Sequence, residues 1–152
     1  MNTAIKRTKP STPLQWLYHE GLLDGKRVID YGCGHGADVD FLDECYIDAV
    51  GFDPWWRCNF ETLRRKYDAV LCIYVLNTIE VESKRYNILD RIRFLLKSRG
   101  KAYIVVRRDV KENGRTSRGW QGNVDVPIGK SIYKTSWFEI YEIRKNDYAV
   151  RT

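Results

Sequence analysis

No apolar run in the sequence approaches the roughly 20 residues that span a bilayer, and the opening stretch MNTAIKRTKPSTP lacks the apolar segment of a secretory signal. Both absences predict a cytoplasmic protein with no membrane partner. Cysteine is sparse and widely spread: Cys33, Cys45, Cys58 and Cys72 stand 12, 13 and 14 residues apart, with no CxxC pair. Histidine is sparser, at His19 and His35 alone. Metal ligands of these types come in short-spaced groups, so no metal is expected and the cysteines read as small buried hydrophobes or free thiols. No internal repeat is visible, and a chain of 152 residues predicts one domain, 1–152. What is present is 43% hydrophobic and 13% aromatic, a composition that excludes disorder and supplies a continuous core.

Hydrophobic spacing divides the chain into alternating elements. Ser11-Thr12-Pro13 is a helix start, hydroxyl cap then proline, followed by an apolar stripe of Leu14, Leu17 and Tyr18 that ends before Gly21. RVIDY (27–31) reads as a strand and ADVDFLDEC (37–45) as the beginning of a helix with Val39 and Leu42 facing a sheet. IDAVGFDP (47–54) is a second strand ending at an acid, and ETLRRK (61–66) one short helix. YDAVLCIYVL (67–76) is nearly continuous in apolar residues, as befits a strand covered on both faces. Residues 83–98 place Leu89, Ile92, Leu95 and Leu96 on one helical face, with Ser83 as cap and Gly100 as stop, before the buried strand KAYIVVRR (101–108). Residues 111–130 are rich in Gly, Lys and Arg, RRDVKENGRTSRGWQGN (107–123) reads as a mobile loop, and SIYKTSWFEIYEIRK (131–145) as short antiparallel strands. The expected fold is therefore α/β: a doubly wound, mainly parallel sheet with helices on both faces and an antiparallel C-terminal edge.

The stretch VIDYGCGHG (28–36) turns a strand into a helix through three alternating glycines. A Cβ at Gly32 or Gly34 would collide with a ligand lying across the strand end, where ligands of open α/β sheets bind. Asp53 follows Gly32 by 21 residues, at the end of the neighbouring strand, where a carboxylate accepts hydrogen bonds from both hydroxyls of a ribose. A nucleoside-containing cofactor is implied. Gly32, Gly34 and Ala37 also satisfy the loose dinucleotide pattern GxGxxA, so these residues alone leave NAD and other nucleoside cofactors open.

VIDYGCGHG resembles motif I of the class I S-adenosylmethionine-dependent methyltransferases, in which an acid precedes GxGxG by two residues; Asp30, Gly32, Gly34 and Gly36 occupy those places. VGFDPW resembles the second-strand motif whose acid binds ribose. YDAVLCIYVLNTIE resembles the fourth-strand segment bordering the cofactor, and RIRFLLKSRGKAYIVV the helix and strand that follow. The likeness covers roughly residues 27–107 in the family's order, and more loosely the whole chain is similar to small methyltransferase-like proteins of phages and bacterial DNA-modification loci. Two features depart from it. The family's helix-strand-helix between the second strand and the next is abbreviated here to residues 54–68, and neither an (N/D)PP(Y/F) tetrapeptide nor a Pro-Cys nucleophile is present.

The resemblance implies S-adenosylmethionine as cofactor, bound by Asp30 beside the methionine moiety, by Gly32, Cys33 and Gly34 through the backbone, by Asp53 at the ribose, and by Trp55, with Trp56, over the adenine. It places Tyr74 and Asn77 beside the cofactor and the substrate pocket; Asn77 and Asp109 are the candidate catalytic groups. Charge adds an expectation about the acceptor. Residues 97–134 hold ten Lys or Arg against three acids, while the rest of the chain has 16 basic and 17 acidic residues. Arg107, Arg108, Arg115, Arg118 and Trp120 are thus expected to grip and stack an RNA or DNA substrate. A nicotinamide-dependent oxidoreductase and a non-catalytic cofactor-binding accessory protein are the rival classes.

Overall fold

The architecture comes from a computed structural model that describes residues 4–147; the outermost residues of the expected domain, 1–3 and 148–152, lie outside the described residues. The chain begins with α1 (Thr12–His19), then β1 (Arg27–Tyr31), α2 (Ala37–Glu44) and β2 (Asp48–Phe52). A 3-10 turn (Phe60–Arg64) leads to β3 (Tyr67–Ile73), and a second one (Leu76–Thr78) to α3 (Glu82–Leu95) and β4 (Leu96–Arg107). A hairpin of β5 (Gly114–Thr116) and β6 (Gly119–Gln121) precedes β7 (Lys130–Lys134) and β8 (Phe138–Arg144).

Six strands form one sheet in the order β2-β1-β3-β4-β8-β7. The first four are parallel, while β8 is antiparallel to β4 and β7 to β8. The antiparallel edge is therefore present, with β7 outermost. Alternation along the central strands feeds two cores. Ala69, Leu71 and Ile73 of β3, with Tyr103 and Val105 of β4, face Leu14 and Leu17 of α1 and Leu42 of α2. Val70, Cys72, Ala102, Ile104 and Val106 face Leu89, Ile92 and Leu95 of α3 on the opposite side. The doubly wound arrangement expected from the sequence is thus observed. No helix among the described residues is long and apolar enough to cross a membrane.

Three local expectations require correction. The third helix starts one residue earlier than expected, with Val81 at its N-cap making no side-chain cap bond, and ends at Leu95. Ser83 lies within it. Its terminal carbonyls are taken by cations instead of by a glycine turn: Lys145 Nζ donates to the carbonyls of Arg93 and Leu96, and Lys66 Nζ to that of Phe94. Gly100 lies in β4, at the irregular register opposite Tyr67, where an added Cβ would sit 2.9 Å from the Tyr67 carbonyl oxygen. Residues 111–130 form the β5–β6 hairpin and then a cover for the α3-side core, into which Val124, Val126 and Ile128 insert. The two-residue alternation in NVDVPIG, hidden by the surrounding charge, is the signal of that role. The middle segment is abbreviated as the sequence indicates: between β2 and β3 stands only the first 3-10 turn, at 60–64 instead of 61–66.

The N-terminal segment is tied across the sheet end by one buried carboxylate. Asp38, in the first turn of α2, accepts from the Ser11 backbone N–H (2.6 Å) and hydroxyl (2.8 Å), and Arg7 Nη2 lies 3.8 Å from it. Ser11 Oγ also caps α1, accepting from Leu14 N at 3.3 Å. Replacing Ser11 by Ala removes the cap and leaves one Asp38 oxygen short of a partner, which is expected to cost about 1–3 kcal/mol of folding stability in urea unfolding. A change under about 0.5 kcal/mol, the scale of surface substitutions, would contradict this reading of Asp38.

Candidate functional site

Strand order reverses between β1 and β3, since β2 flanks β1 on one side and β3 on the other. A crevice at the carboxyl ends of such strands is where ligands of open α/β sheets bind. Gly32 stands at that point with φ +86°, and a Cβ on it would lie 2.5 Å from Val75 Cγ2, so glycine is what lets the two crossovers meet. The N–H groups of Gly32 and Cys33 both donate to the Phe52 carbonyl, at 2.7 and 3.0 Å, locking the loop to the end of β2. Over Gly34 lies Ala4 of the N-terminal segment, and over Gly36 the guanidinium of Arg57.

Asp53, directly after β2, is almost fully buried. Its Oδ2 accepts from Gly34 N at 2.9 Å and its Oδ1 from the N–H groups of Trp55 and Trp56 at 2.8 and 3.2 Å. A carboxylate has about four acceptor positions, and three are engaged here. The free one is on Oδ2. Trp56 lies against His35 with ring centroids 3.9 Å apart, while Trp55 is 62% exposed beside the same loop.

Asp30, on β1 immediately before the turn, is buried, and its Oδ1 has no hydrogen-bond partner. Burial, reinforced by Asp38, raises its carboxyl well above the usual carboxylate range, with Arg7 opposing and Asp53 adding to the rise. Tyr74, at the end of β3, adopts φ +60°, a conformation rare for a non-glycine residue. Burial pushes its phenol up to about 12, and Asp109, Arg7, Arg107 and Asp38 also act on it. The ends of β1, β3 and β4 and the N-terminal segment thus converge on one charged cluster. A glycine turn, an acid at the end of each of two neighbouring strands and this cluster stand together at the switch point of the sheet.

A family model described as a methyltransferase domain matches residues 9–139. The chain belongs to that family. Among solved structures it is similar to the Burkholderia thailandensis 1,6-didemethyltoxoflavin-N1-methyltransferase, determined with bound 1,6-didemethyltoxoflavin and S-adenosylhomocysteine: TM-score 0.66, 15% identity, 88% of this chain and 76% of that one covered. It is also similar to the magnesium protoporphyrin IX methyltransferase of Synechocystis with bound S-adenosylmethionine, with TM-score 0.53, 15% identity, and 86% and 75% covered. A search of curated proteins finds no match. At these identities the likeness establishes the fold, and it is the expected class I methyltransferase fold.

Within this methyltransferase domain the other expected residues fall into distinct settings. Cys33 is buried, and burial first, then Asp30 and Asp53, pushes its thiol up to about 12, which opposes a nucleophilic role. Asn77, in the second 3-10 turn, donates from Nδ2 to Gln121 Oε1 at 2.9 Å and accepts from Gly122 N at its carbonyl, while its buried Oδ1 has no partner. It fastens β6 to the end of β3. Asp109 accepts two bonds from Arg107, at 2.8 and 3.1 Å, and that hydrogen bonding holds its carboxyl below the usual range. Both facts oppose a role for Asp109 as a proton acceptor at neutral pH.

The basic segment is not one surface. Lys97 and Lys101 lie near the start of β4 and Arg107 at its end, roughly 20–30 Å away at the usual rise per strand residue. Arg108 is turned inward: it donates to Glu139, Asn123, the Val124 carbonyl and Tyr141, with its side chain 10% exposed and that of Glu139 8%. It is committed to joining β8 to the 122–128 cover, which overturns the expectation that it grips phosphate. Arg107 is held by Asp109, and Arg115 Nη2 lies 3.7 Å from Glu80. Arg118 is exposed, and Trp120 is half-buried against the α3-side core.

Sequence reasoning missed Asp38, Arg7 and Arg57, the residues that fasten the N-terminal segment and the 54–57 turn around the glycines. Asp38 had a visible signal, an acid in the first turn of the helix that the glycines open. Arg108→Ala is expected to cost about 3–5 kcal/mol of stability, because it leaves the buried Glu139 carboxylate without its counter-charge, with only the neutral hydroxyls of Tyr141 and Ser131 as donors. Urea unfolding checks this, and a loss under about 1 kcal/mol, as for a surface pair, would return Arg108 to the surface-binding set.

Proposed function

We propose that the protein binds S-adenosylmethionine across the ends of β1, β2 and β3 and transfers its methyl group to an acceptor. The observation that carries this reading is the unpartnered, buried Oδ1 of Asp30 beside the glycine turn. A buried acceptor left without a partner costs about 1–3 kcal/mol, so its retention calls for a donor that arrives with a ligand. The α-ammonium of the cofactor's methionine is such a donor, and its charge favours the ionised form of a carboxyl that burial otherwise neutralises. The free position on Asp53 Oδ2 suits one ribose hydroxyl; a two-hydroxyl grip requires the Gly34 N–H to give way. Trp55 offers an exposed ring for the adenine. Entry requires Ala4 and Arg57 to draw back from Gly34 and Gly36.

When bound, the cofactor supplies an electrophilic methyl group on sulfur, which an acceptor lone pair displaces in line with departure of S-adenosylhomocysteine. The chain's contribution is alignment and exclusion of water, with reacting atoms held about 3–3.5 Å apart. Asp109 is bound to Arg107 and Asn77 is a neutral amide, so neither supplies a strong base. That favours an acceptor atom with its own available lone pair. The solved relatives named above bind or act on small molecules, and the spatial dispersal of the basic segment favours the same class here. An RNA or DNA acceptor is the second reading, supported by exposed Lys111 and Arg118 with Arg115 around the β5–β6 hairpin.

Calorimetric titration is expected to show binding of S-adenosylhomocysteine and none of NAD; the reverse would return the site to nicotinamide chemistry. Asp30→Asn separates binding from folding. A buried carboxyl with a raised folded-state value binds protons more readily in the folded state, so the stability it contributes falls as pH rises from the ordinary range of about 4. The Asn variant is therefore expected to melt higher than the parent at pH 7, with the gap closing toward pH ~4, yet to bind S-adenosylhomocysteine at least about tenfold more weakly. Unchanged affinity would remove Asp30 from the cofactor site. Binding without methyl transfer to any small amine, tRNA, rRNA or DNA pool would favour the non-catalytic accessory protein.

A further inference from the structure

Three buried acids surround the glycine turn: Asp30 before it, Asp38 in the first turn of the helix that follows, and Asp53 at the end of the neighbouring strand. The ligand proposed above is a zwitterion at its methionine end, where the α-carboxylate is bonded to the same carbon as the ammonium assigned to Asp30. A carboxylate brought to that place enters a field that is already negative, and it requires a cation of its own. Two guanidiniums flank the turn. Arg57 stands over Gly36, where its Nη2 donates to Asp40 Oδ1 at 3.3 Å and to the His35 carbonyl at 3.5 Å. Arg7 comes from the N-terminal strap and stands beside Asp38. Residues two apart on a helix do not share a face, so Asp38 and Asp40 keep the two guanidiniums on different sides of α2. The side of Asp38 is the buried one.

The strap holds Arg7 at the crevice while leaving its head uncommitted. Four residues after it, Ser11 donates twice to Asp38, and three residues before it, Ala4 lies over Gly34, 3.2 Å from the place a Cβ there would take. Arg7 Nη2 is 3.8 Å from Asp38 Oδ2, beyond hydrogen-bond length, and its side chain is 38% exposed. Both Asp38 oxygens already accept from Ser11, so the Arg7 contact adds little to the fold. Among the described residues no hydrogen bond engages the Arg7 fork. Its charge nevertheless acts on Asp30, where it opposes the rise that burial and Asp38 cause, and on Tyr74 at the end of β3. A guanidinium with free donors thus stands at the Asp30 end of the crevice, and its planar fork matches a carboxylate with two parallel hydrogen bonds.

We propose that Arg7 is a cofactor-binding residue, its guanidinium passing from Asp38 to the α-carboxylate of the cofactor's methionine moiety while Ser11 keeps the strap fastened to Asp38. The proposal rests on the methyltransferase reading above and completes its methionine end. The test compares two ligands on the full chain by calorimetric titration: S-adenosylhomocysteine, and S-adenosyl-3-thiopropylamine, which keeps the amine and lacks only the carboxylate. The parent is expected to bind S-adenosylhomocysteine at least about tenfold more tightly than the amine analogue. Arg7→Gln is expected to weaken S-adenosylhomocysteine at least about tenfold and leave the amine analogue unweakened, which erases the preference. Arg7→Lys keeps the charge without the fork and is expected to recover part of it. Because both ligands meet the same variant, a general loss of folding or of strap position weakens them together and does not imitate this result. Equal affinity of the parent for the two ligands, equal loss of both in Arg7→Gln, or a preference kept by Arg7→Gln and erased by Arg57→Gln would each overturn the proposal, the last in favour of Arg57. Failure of the parent to bind either ligand would overturn the methyltransferase reading itself.

Discussion

Everything at the functional end of this molecule depends on the near-contact of two crossovers at Gly32. The β1–α2 turn and the segment leaving β3 pass so closely there that Val75 occupies the space of the missing side chain. The approach fixes the switch point of the sheet. It also sets the second 3-10 turn, and through Asn77 the β5–β6 hairpin, in one position relative to the glycines. A side chain at residue 32 would push these parts away from each other and deform the crevice. The same crowding recurs one strand away, where a Cβ on Gly51 would lie 2.6 Å from Cys33 Sγ. Backbone proximity, obtained with glycine on both neighbouring strands, is thus the condition for placing polar groups at the strand ends.

Those polar groups are held against their solvation preference. Asp30, Asp38 and Asp53 are all buried within the first two βα units. Asp38 and Asp53 are satisfied by backbone N–H groups and a hydroxyl, and in exchange each fastens a segment: Asp38 the N-terminal strap, Asp53 the glycine loop and the 55–56 turn. Asp30 is the one with an oxygen left over. Two acids organise loops, and the third keeps a buried oxygen without a partner, which stability alone does not require. Local conflict of this kind is expected at functional sites, where a binding group is kept ready at some expense to the fold.

The fold was legible because its signals are local and redundant. β1 was bounded to the residue and β3 to within a few residues, since an apolar run flanked by Gly or by charge leaves few alternatives. The glycine turn and the position of Asp53 at the end of β2 were legible for the same reason. Tertiary exchange hid the rest. Lys145 and Lys66 end α3 from distant positions, and no pattern within 83–100 contains them. Asp53 reads in sequence as a free ribose acid, but the turn it begins folds back and engages three of its acceptor positions. Tyr74 stands in an apolar run that reads as unbroken strand, while the chain bends at that residue into a left-handed conformation.

The basic segment shows why charge counted along a chain differs from charge in space. A strand carries successive side chains to opposite faces and displaces them by about 3.3 Å per residue, so β4 alone distributes Lys97, Lys101 and Arg107 along the length of the sheet. Screening then makes charges separated by more than about 8–10 Å nearly independent at physiological salt. Arg108 and Arg107 are further neutralised by Glu139 and Asp109, carboxylates that a count confined to one segment either omits or treats as a simple subtraction. Between α3 and the hairpin the acids Glu80, Glu82 and Asp125 stand among Arg85, Arg115, 3.7 Å from Glu80, and Arg108, which donates to Asn123 and to the Val124 carbonyl. A segment basic in sequence is therefore interleaved with carboxylates in space, and the local balance of charge, not the net charge, is what acts on any group at that surface.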